Sequence, residues 1–229
     1  LKPDGYLISA AQDPEVATIL LDTARKQNAK YAFEGVEFGV VERDRAVGGQ
    51  FLTLRGLAGE YPDIELPLHG EHQGQNASLA LAAVEAFFGG DRALARDVVL
   101  AGFAQVRSPG RLEMIRSEPL VVLDAAHNPH GVRAASTAFK EAFELSHVHA
   151  VVGILGEKDA LGIFEVLREE YVDSTDATFR LYLSASDSSR AIAPEELQEI
   201  ALDAGFDENI ITVCDHLDEA LATAMENAL

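Results

Sequence analysis

The chain has 229 residues, 48% of them hydrophobic, which is enough to bury a substantial core in either one large domain or two small ones. Its 38 acidic and 18 basic residues give a net charge of −20, which repels a phosphate backbone and argues against partners that are nucleic acids or anionic membranes. No stretch reaches the roughly 18 consecutive apolar residues of a membrane span, and Leu1-Lys2-Pro3-Asp4 lacks the order of a secretory signal, so a cytoplasmic location is expected.

The first residue is Leu1, in the middle of what reads as a strand-helix unit, so the chain is expected to be a fragment or a processed product. Tyr6-Leu7-Ile8-Ser9-Ala10 reads as a buried strand, and Val16, Ile19, Leu20 and Ala24 recur at helical spacing over 15–27. From about 30 to 68, short β-branched and aromatic segments broken by Gly48-Gly49, Gly56 and Pro62 predict a small antiparallel sheet. An Ala- and Leu-rich helix is predicted over 72–88, stopped by Gly89-Gly90, and a second over 93–103 before the breaker Ser108-Pro109-Gly110. A domain boundary is placed at 106/107.

Beyond it, strands at 120–123, 148–154, 179–183 and 210–213 alternate with helices near 132–143, 160–170, 194–204 and 217–228. That alternation predicts an α/β domain with a mainly parallel sheet covered on both faces, and the apolar run 148–154 is expected to be its central strand. Cys214, the only cysteine, excludes an internal disulfide or a thiolate-only zinc site and reads as a small core hydrophobe.

Ligands of open parallel sheets bind beyond the carboxyl ends of the strands. Three polar segments occupy such positions: Asp124-Ala125-Ala126-His127-Asn128-Pro129, Gly156-Glu157-Lys158-Asp159, and Ser184-Ala185-Ser186-Asp187-Ser188-Ser189-Arg190. All three are expected along one rim. Asp124 can accept from ribose hydroxyls or a guanidinium, while His127 and Asn128 sit at the start of a helix whose dipole favours anions. The same residues also suit a turn in which Asp124 and Asn128 only cap backbone groups. Arg111, after the rigid Ser108-Pro109-Gly110 turn, suits a bidentate phosphate clamp, or else a surface position at a hinge. His72 and Asn76 share one helix face, where an amide can read an adenine edge; a packed polar residue or helix cap and a satisfied core histidine are the alternatives.

Four ordered segments carry a resemblance: His72-Gln73-Gly74-Gln75-Asn76-Ala77, Ser108-Pro109-Gly110-Arg111, Asp124-Ala125-Ala126-His127-Asn128-Pro129 and Gly153-Ile154-Leu155-Gly156-Glu157-Lys158-Asp159. In order and spacing they resemble the folylpolyglutamate synthase and dihydrofolate synthase family, the folate branch of the Mur ligases. The resemblance covers nearly the whole chain. It implies the C-terminal part of a Mur-type central ATPase domain over 1–106, followed by a Rossmann-like C-terminal ligase domain over 107–229. It further implies ATP-dependent ligation of L-glutamate to folate or dihydropteroate through an acyl phosphate, with ATP and Mg2+ and a monomeric parent enzyme. Asn76 would contact adenine, Arg111 would reach the ATP phosphates on domain closure, and Asp124 would anchor the nucleotide side of the cleft. His127 would lie near the acyl phosphate and incoming glutamate, with Asn128 and Ser186, and more loosely Arg190, completing the substrate site. No metal ligand is assigned within the chain.

No Gly-x-x-x-x-Gly-Lys-Ser/Thr loop can be read in the sequence, so the nucleotide and metal sites are expected mostly outside it and the chain alone is expected to be inactive. Another Mur-type amino-acid ligase and a non-catalytic nucleotide-binding module remain as alternative readings.

Overall fold

The computed structural model describes residues 1–228, which divide into two compact units, Leu1–Ser108 and a second beginning at Pro109.

In the first unit, strand β1 (Tyr6–Ser9) and strand β2 (Lys30–Phe33) pair in parallel across helix α1 (Pro14–Lys26). Proline in the first turn of α1, Glu15 beside it, and Arg25 with Lys26 in the last turn all favour the helix and oppose its dipole. Strands β3 (Gly39–Ala46), β4 (Gly49–Arg55) and β5 (Glu60–Leu66) form an antiparallel meander. The expected antiparallel sheet thus starts at Gly39, because Lys30–Phe33 is taken by β1. Helix α2 (Glu71–Phe87) stops before Gly89 and Gly90, and helix α3 (Arg96–Ala104) starts three residues later than expected. Leu52, Leu54, Tyr61, Ile64 and Leu66 of the meander pack on Ala77 and Leu81 of α2 and Val99 of α3 to form the core of this unit.

The second unit opens with the hairpin β6 (Glu113–Ser117) and β7 (Leu120–Leu123). Helix α4 (Pro129–Ala142), strand β8 (His147–Val152), helix α5 (Ala160–Leu167) with a π-helical extension at Arg168–Asp173, and strand β9 (Thr178–Leu183) follow. Helix α6 (Pro194–Asp203), strand β10 (Ile211–Val213) and helix α7 (Leu217–Asn227) complete the unit. The parallel sheet has the order β10-β9-β8, so the α/β class holds with two corrections. Leu120–Leu123 is hydrogen-bonded antiparallel to β6 and not to the parallel strands. The central strand is β9, whose Phe179, Leu181, Tyr182 and Leu183 are buried, whereas β8 is a half-buried edge. Both crossovers, through α5 and α6, add strands on the same side, which places β8 at the end of the sheet.

One face of the sheet packs on α5 and α6 through Ile163, Phe164, Leu197 and Ala201, with the Phe179 ring stacked between Tyr171 and Phe206 at 5.7 and 5.9 Å. The other face packs on α7 through Tyr182, Cys214, Ala220 and Ala224. Cys214 is a core residue as expected, and burial raises its thiol pKa. On this face Asn227 of α7 donates to the Tyr182 hydroxyl (3.1 Å), whose own hydrogen is then available to Nδ1 of His149 at 3.0 Å. Desolvation first, then the charges of His147 and Arg180, lower the His149 pKa. The unfolded chain therefore binds this proton at a higher pH than the folded one. The stability contributed by neutral His149 is present above about pH 6.5 and is lost as the pH falls through that value. The melting temperature is expected to drop between about pH 7.5 and 5.5 by more in the parent chain than in His149→Gln. Equal drops in thermal melts of the two proteins would show that His149 is not the linked group.

Candidate functional site

The carboxyl ends of the strands in the second unit carry the three polar segments singled out above, and local contacts tie these segments together. Asp159 caps α5 by accepting from Gly162 N at 3.0 Å. A Cβ on Gly162 would come within 2.8 Å of Pro129 Cγ, so only glycine lets the start of α5 lie this close to the start of α4. The second and third segments are joined by Gly156 N to Arg190 O (2.8 Å), Ile192 N to Ile154 O (2.9 Å) and the Arg190–Glu157 ion pair at 2.9 Å. Ser184, at the end of β9, is fully buried with an unpartnered hydroxyl, while Ser186 two residues on is exposed.

The first segment is built around Asp124, half-buried just after β7. Its Oδ2 accepts from Leu112 N at 2.9 Å and its Oδ1 from Ala126 N at 2.7 Å. Asn128 adopts an extended conformation and caps α4, its Oδ1 accepting from Gly131 N at 2.8 Å, with Pro129 filling the first helical position. Both side chains thus do the backbone-capping work that the sequence allowed as an alternative. Each carboxylate oxygen can accept a further bond, so Asp124 keeps capacity for a ligand. His127 is exposed, and its Nδ1 lies 3.1 Å from the Ala125 carbonyl. A carbonyl only accepts, so Nδ1 carries the hydrogen and Nε2 of the neutral ring is left as an acceptor facing solvent.

Arg111 sits in the turn that Asp124 grips. Its neighbours Gly110 (φ 69°) and Leu112 (φ 45°) are both left-handed, and for Leu112 that costs about 1–2 kcal/mol. The Arg111 side chain is exposed and makes no hydrogen bond or ion pair among the described residues. Its guanidinium, unlike that of Arg190, is uncommitted. Glu113, whose Oε2 accepts from Gly110 N at 2.9 Å, was not singled out in the sequence. A carboxylate three residues after a glycine turn is too common to be noticed there. Ser184 was read only as part of its segment, since nothing in the sequence distinguishes it from the serines that follow.

Asn76 belongs to the first unit, six residues beyond the Gly70 cap of α2, which rules out its reading as a helix cap. It is exposed and donates to Gln73 Oε1 at 3.3 Å, and Gln73 Nε2 lies 3.1 Å from His72 Nε2. His72, Gln73 and Asn76 thus form one polar chain along the first turns of the helix. Among the described residues no three His, Cys, Asp or Glu side chains are grouped to hold a metal ion.

Residues 110–229 match the family described as Mur ligase, glutamate ligase domain. The chain belongs to the Mur ligase family. Among curated Mur ligase relatives, the dihydrofolate synthase/folylpolyglutamate synthase of Mycobacterium tuberculosis is 43% identical over 226 residues, covering 97% of this chain and 44% of that protein. The folylpolyglutamate synthase of Lacticaseibacillus casei is 32% identical over 146 residues, 60% of this chain and 34% of that protein. The chain spans less than half the length of these curated relatives. A crystal structure of the Mycobacterium tuberculosis folylpolyglutamate synthase complexed with ADP and AMPPCP superposes with a TM-score of 0.90 at 42% identity, covering 98% of this chain and 49% of that one. The α/β architecture with a Rossmann-like second unit is that of this family. No helix among the described residues is long and apolar enough to cross a membrane.

Proposed function

We propose that the chain is part of an ATP-dependent folylpolyglutamate or dihydrofolate synthase, which joins L-glutamate to folate or dihydropteroate. The observation that carries this is the match to the mycobacterial dihydrofolate synthase/folylpolyglutamate synthase, which runs through all four motif segments. Residues 1–106 are assigned to the end of the central ATPase domain and 107–229 to the ligase domain.

In this reading the acceptor carboxylate attacks the γ-phosphorus of ATP, ADP leaves, and an acyl phosphate forms. The amine of glutamate then attacks the acyl carbon, phosphate departs, and the amine loses its proton. Charge neutralisation on the transferring phosphoryl group does most of the catalytic work. Arg111, with its uncommitted guanidinium, supplies part of that charge, Asn76 contacts adenine, and Asp124 lies on the nucleotide side. His127, with Nε2 open, faces the acyl phosphate and the incoming glutamate, and Asn128 and Ser186 line the substrate. Asn128 keeps its amide Nδ2 for this purpose, because Oδ1 caps α4. The enzyme acts as a cytoplasmic monomer, and the 229-residue chain alone carries no ligase activity.

The test is ADP release by the complete enzyme with ATP, L-glutamate and either folate, dihydropteroate or a muramyl nucleotide as acceptor. Turnover with a pterin acceptor is the expected result. Turnover with the muramyl acceptor alone would assign the chain to a peptidoglycan ligase, and no turnover with any acceptor would favour a binding module.

A further inference from the structure

We infer that Glu113 and Asp124 are positioning residues that fix the backbone from which Arg111 projects. The inference deepens the proposed function and rests on its reading of Arg111 as a ligand of the ATP phosphates. Three observations carry it. The first is that the Arg111 side chain has no partner of its own among the described residues, so its backbone is the only part of it that the fold holds.

The second is that this backbone is held on both sides in a conformation it would not keep unaided. Gly110 and Leu112, the residues flanking Arg111, are left-handed, a region that leucine seldom occupies. The third is that a carboxylate grips each of these neighbours. Gly110 N donates to Glu113 Oε2 at 2.9 Å, and Leu112 N donates to Asp124 Oδ2 at 2.9 Å. Gly110 O accepts from Ala125 N at 2.8 Å, and the second Asp124 oxygen holds Ala126 N at 2.7 Å. Both carboxylate bonds are charge-assisted, the stronger kind of hydrogen bond. Leu112, only 7% exposed, buries its side chain beneath the turn. The turn is therefore clamped at Gly110 and Leu112, and Arg111 between them leaves its guanidinium in solvent. Such an arrangement fixes the backbone from which the side chain departs before a phosphate arrives, so that only the side-chain rotamers are left to be ordered on binding.

The experiment is a set of double-mutant cycles in the complete enzyme, with kcat and the ATP and acceptor KM values measured for each variant. Glu113→Ala is expected to lower kcat about tenfold with the acceptor KM little changed, and Glu113→Gln, which keeps an acceptor oxygen, to restore most of it. Asp124→Asn keeps one acceptor but turns an amide N–H toward the other donor, and is expected to lower kcat about 100-fold. In an Arg111→Ala background Glu113→Ala is expected to cost less than about twofold more, because it acts through a side chain that is gone, whereas Asp124→Asn keeps whatever part of its cost comes from its own place on the nucleotide side.

If the losses multiply in full with that of Arg111→Ala, the positioning inference is wrong while the phosphate role of Arg111 stands. If Arg111→Ala by itself leaves kcat unchanged, it is the reading beneath the inference that fails. Should Asp124→Asn not fold, the exposed Glu113 and its Gln and Ala variants decide the matter, with melting temperature confirming that they fold.

Discussion

Replacing Arg111 by alanine in the complete enzyme is expected to lower kcat by about 10²- to 10³-fold, with the acceptor KM changed by no more than a few-fold. That range equals about 2.7–4 kcal/mol of transition-state stabilisation, the size of one well-placed charge in a site that excludes water. In the proposed function the loss falls on kcat, because the negative charge that Arg111 would meet grows as the γ-phosphoryl group transfers. A contact made equally in ground and transition states would change KM instead. Arg111→Lys is expected to recover only part of the loss, since an ammonium is a point charge without the planar fork that grips two oxygens. Pre-steady-state ADP formation should slow in parallel with steady-state turnover. Unchanged kcat in Arg111→Ala would remove Arg111 from the phosphate site.

Replacing Glu85 by alanine is expected to destabilise the first unit by about 3–5 kcal/mol. Glu85 lies on α2 with none of its surface exposed. Its Oε2 accepts from Leu57 N and, at 3.2 Å, from Ala58 N; its Oε1 accepts from the Tyr61 hydroxyl at 2.5 Å. The Tyr61 oxygen in turn accepts from Leu94 N at 2.8 Å, so one carboxylate ties the β4–β5 turn to α2 and to the segment before α3. Truncation would leave the buried Tyr61 hydroxyl and the half-buried N–H groups of Leu57 and Ala58 without their acceptor beside a cavity, and unmade hydrogen bonds away from water cost more than made ones contribute.

Glu85→Gln is expected to fall between, because its amide can accept on one side only. The network also has an alkaline signature. Burial and the Glu85 bond push the Tyr61 pKa up to about 12. The unfolded chain loses this proton first, near pH 10, so stability falls as the pH rises through that value. Urea unfolding at neutral pH measures the first effect; a Glu85→Ala unfolding free energy within about 1 kcal/mol of the parent would refute it.

The helices were largely legible because their signals are local. The run from His72 to the Gly89-Gly90 stop, and the proline-led starts of α4 and α6, can be read without knowing what they pack against. Strand β6 could not be found, since all five residues from Glu113 to Ser117 are exposed and leave no alternation to detect. The order of the parallel strands was equally out of reach. An apolar run reports how much of a strand is buried and does not say which neighbour covers it, so β8 looked central although β9 is. At the site, the Asp124 to Pro129 segment and Arg111 stood out by residue type. The clasp between them did not, because Leu112 and Asp124 are twelve positions apart and meet only when β6 and β7 pair.

Residue identity and spacing alone thus determined the α/β class, the helix positions and the kinds of group lining the strand ends. These follow from side-chain periodicity, capping chemistry and turn residues, all of which act within a few residues. Tertiary structure alone decided what each carboxylate is for. Glu85 and Asp124 are both acids beside apolar residues in sequence, and only folding delivers the backbone N–H groups of Leu57, Ala58 and Leu112 to them. A buried hydrogen bond is satisfied by whichever donor the fold brings within reach, however far away in the chain that donor lies.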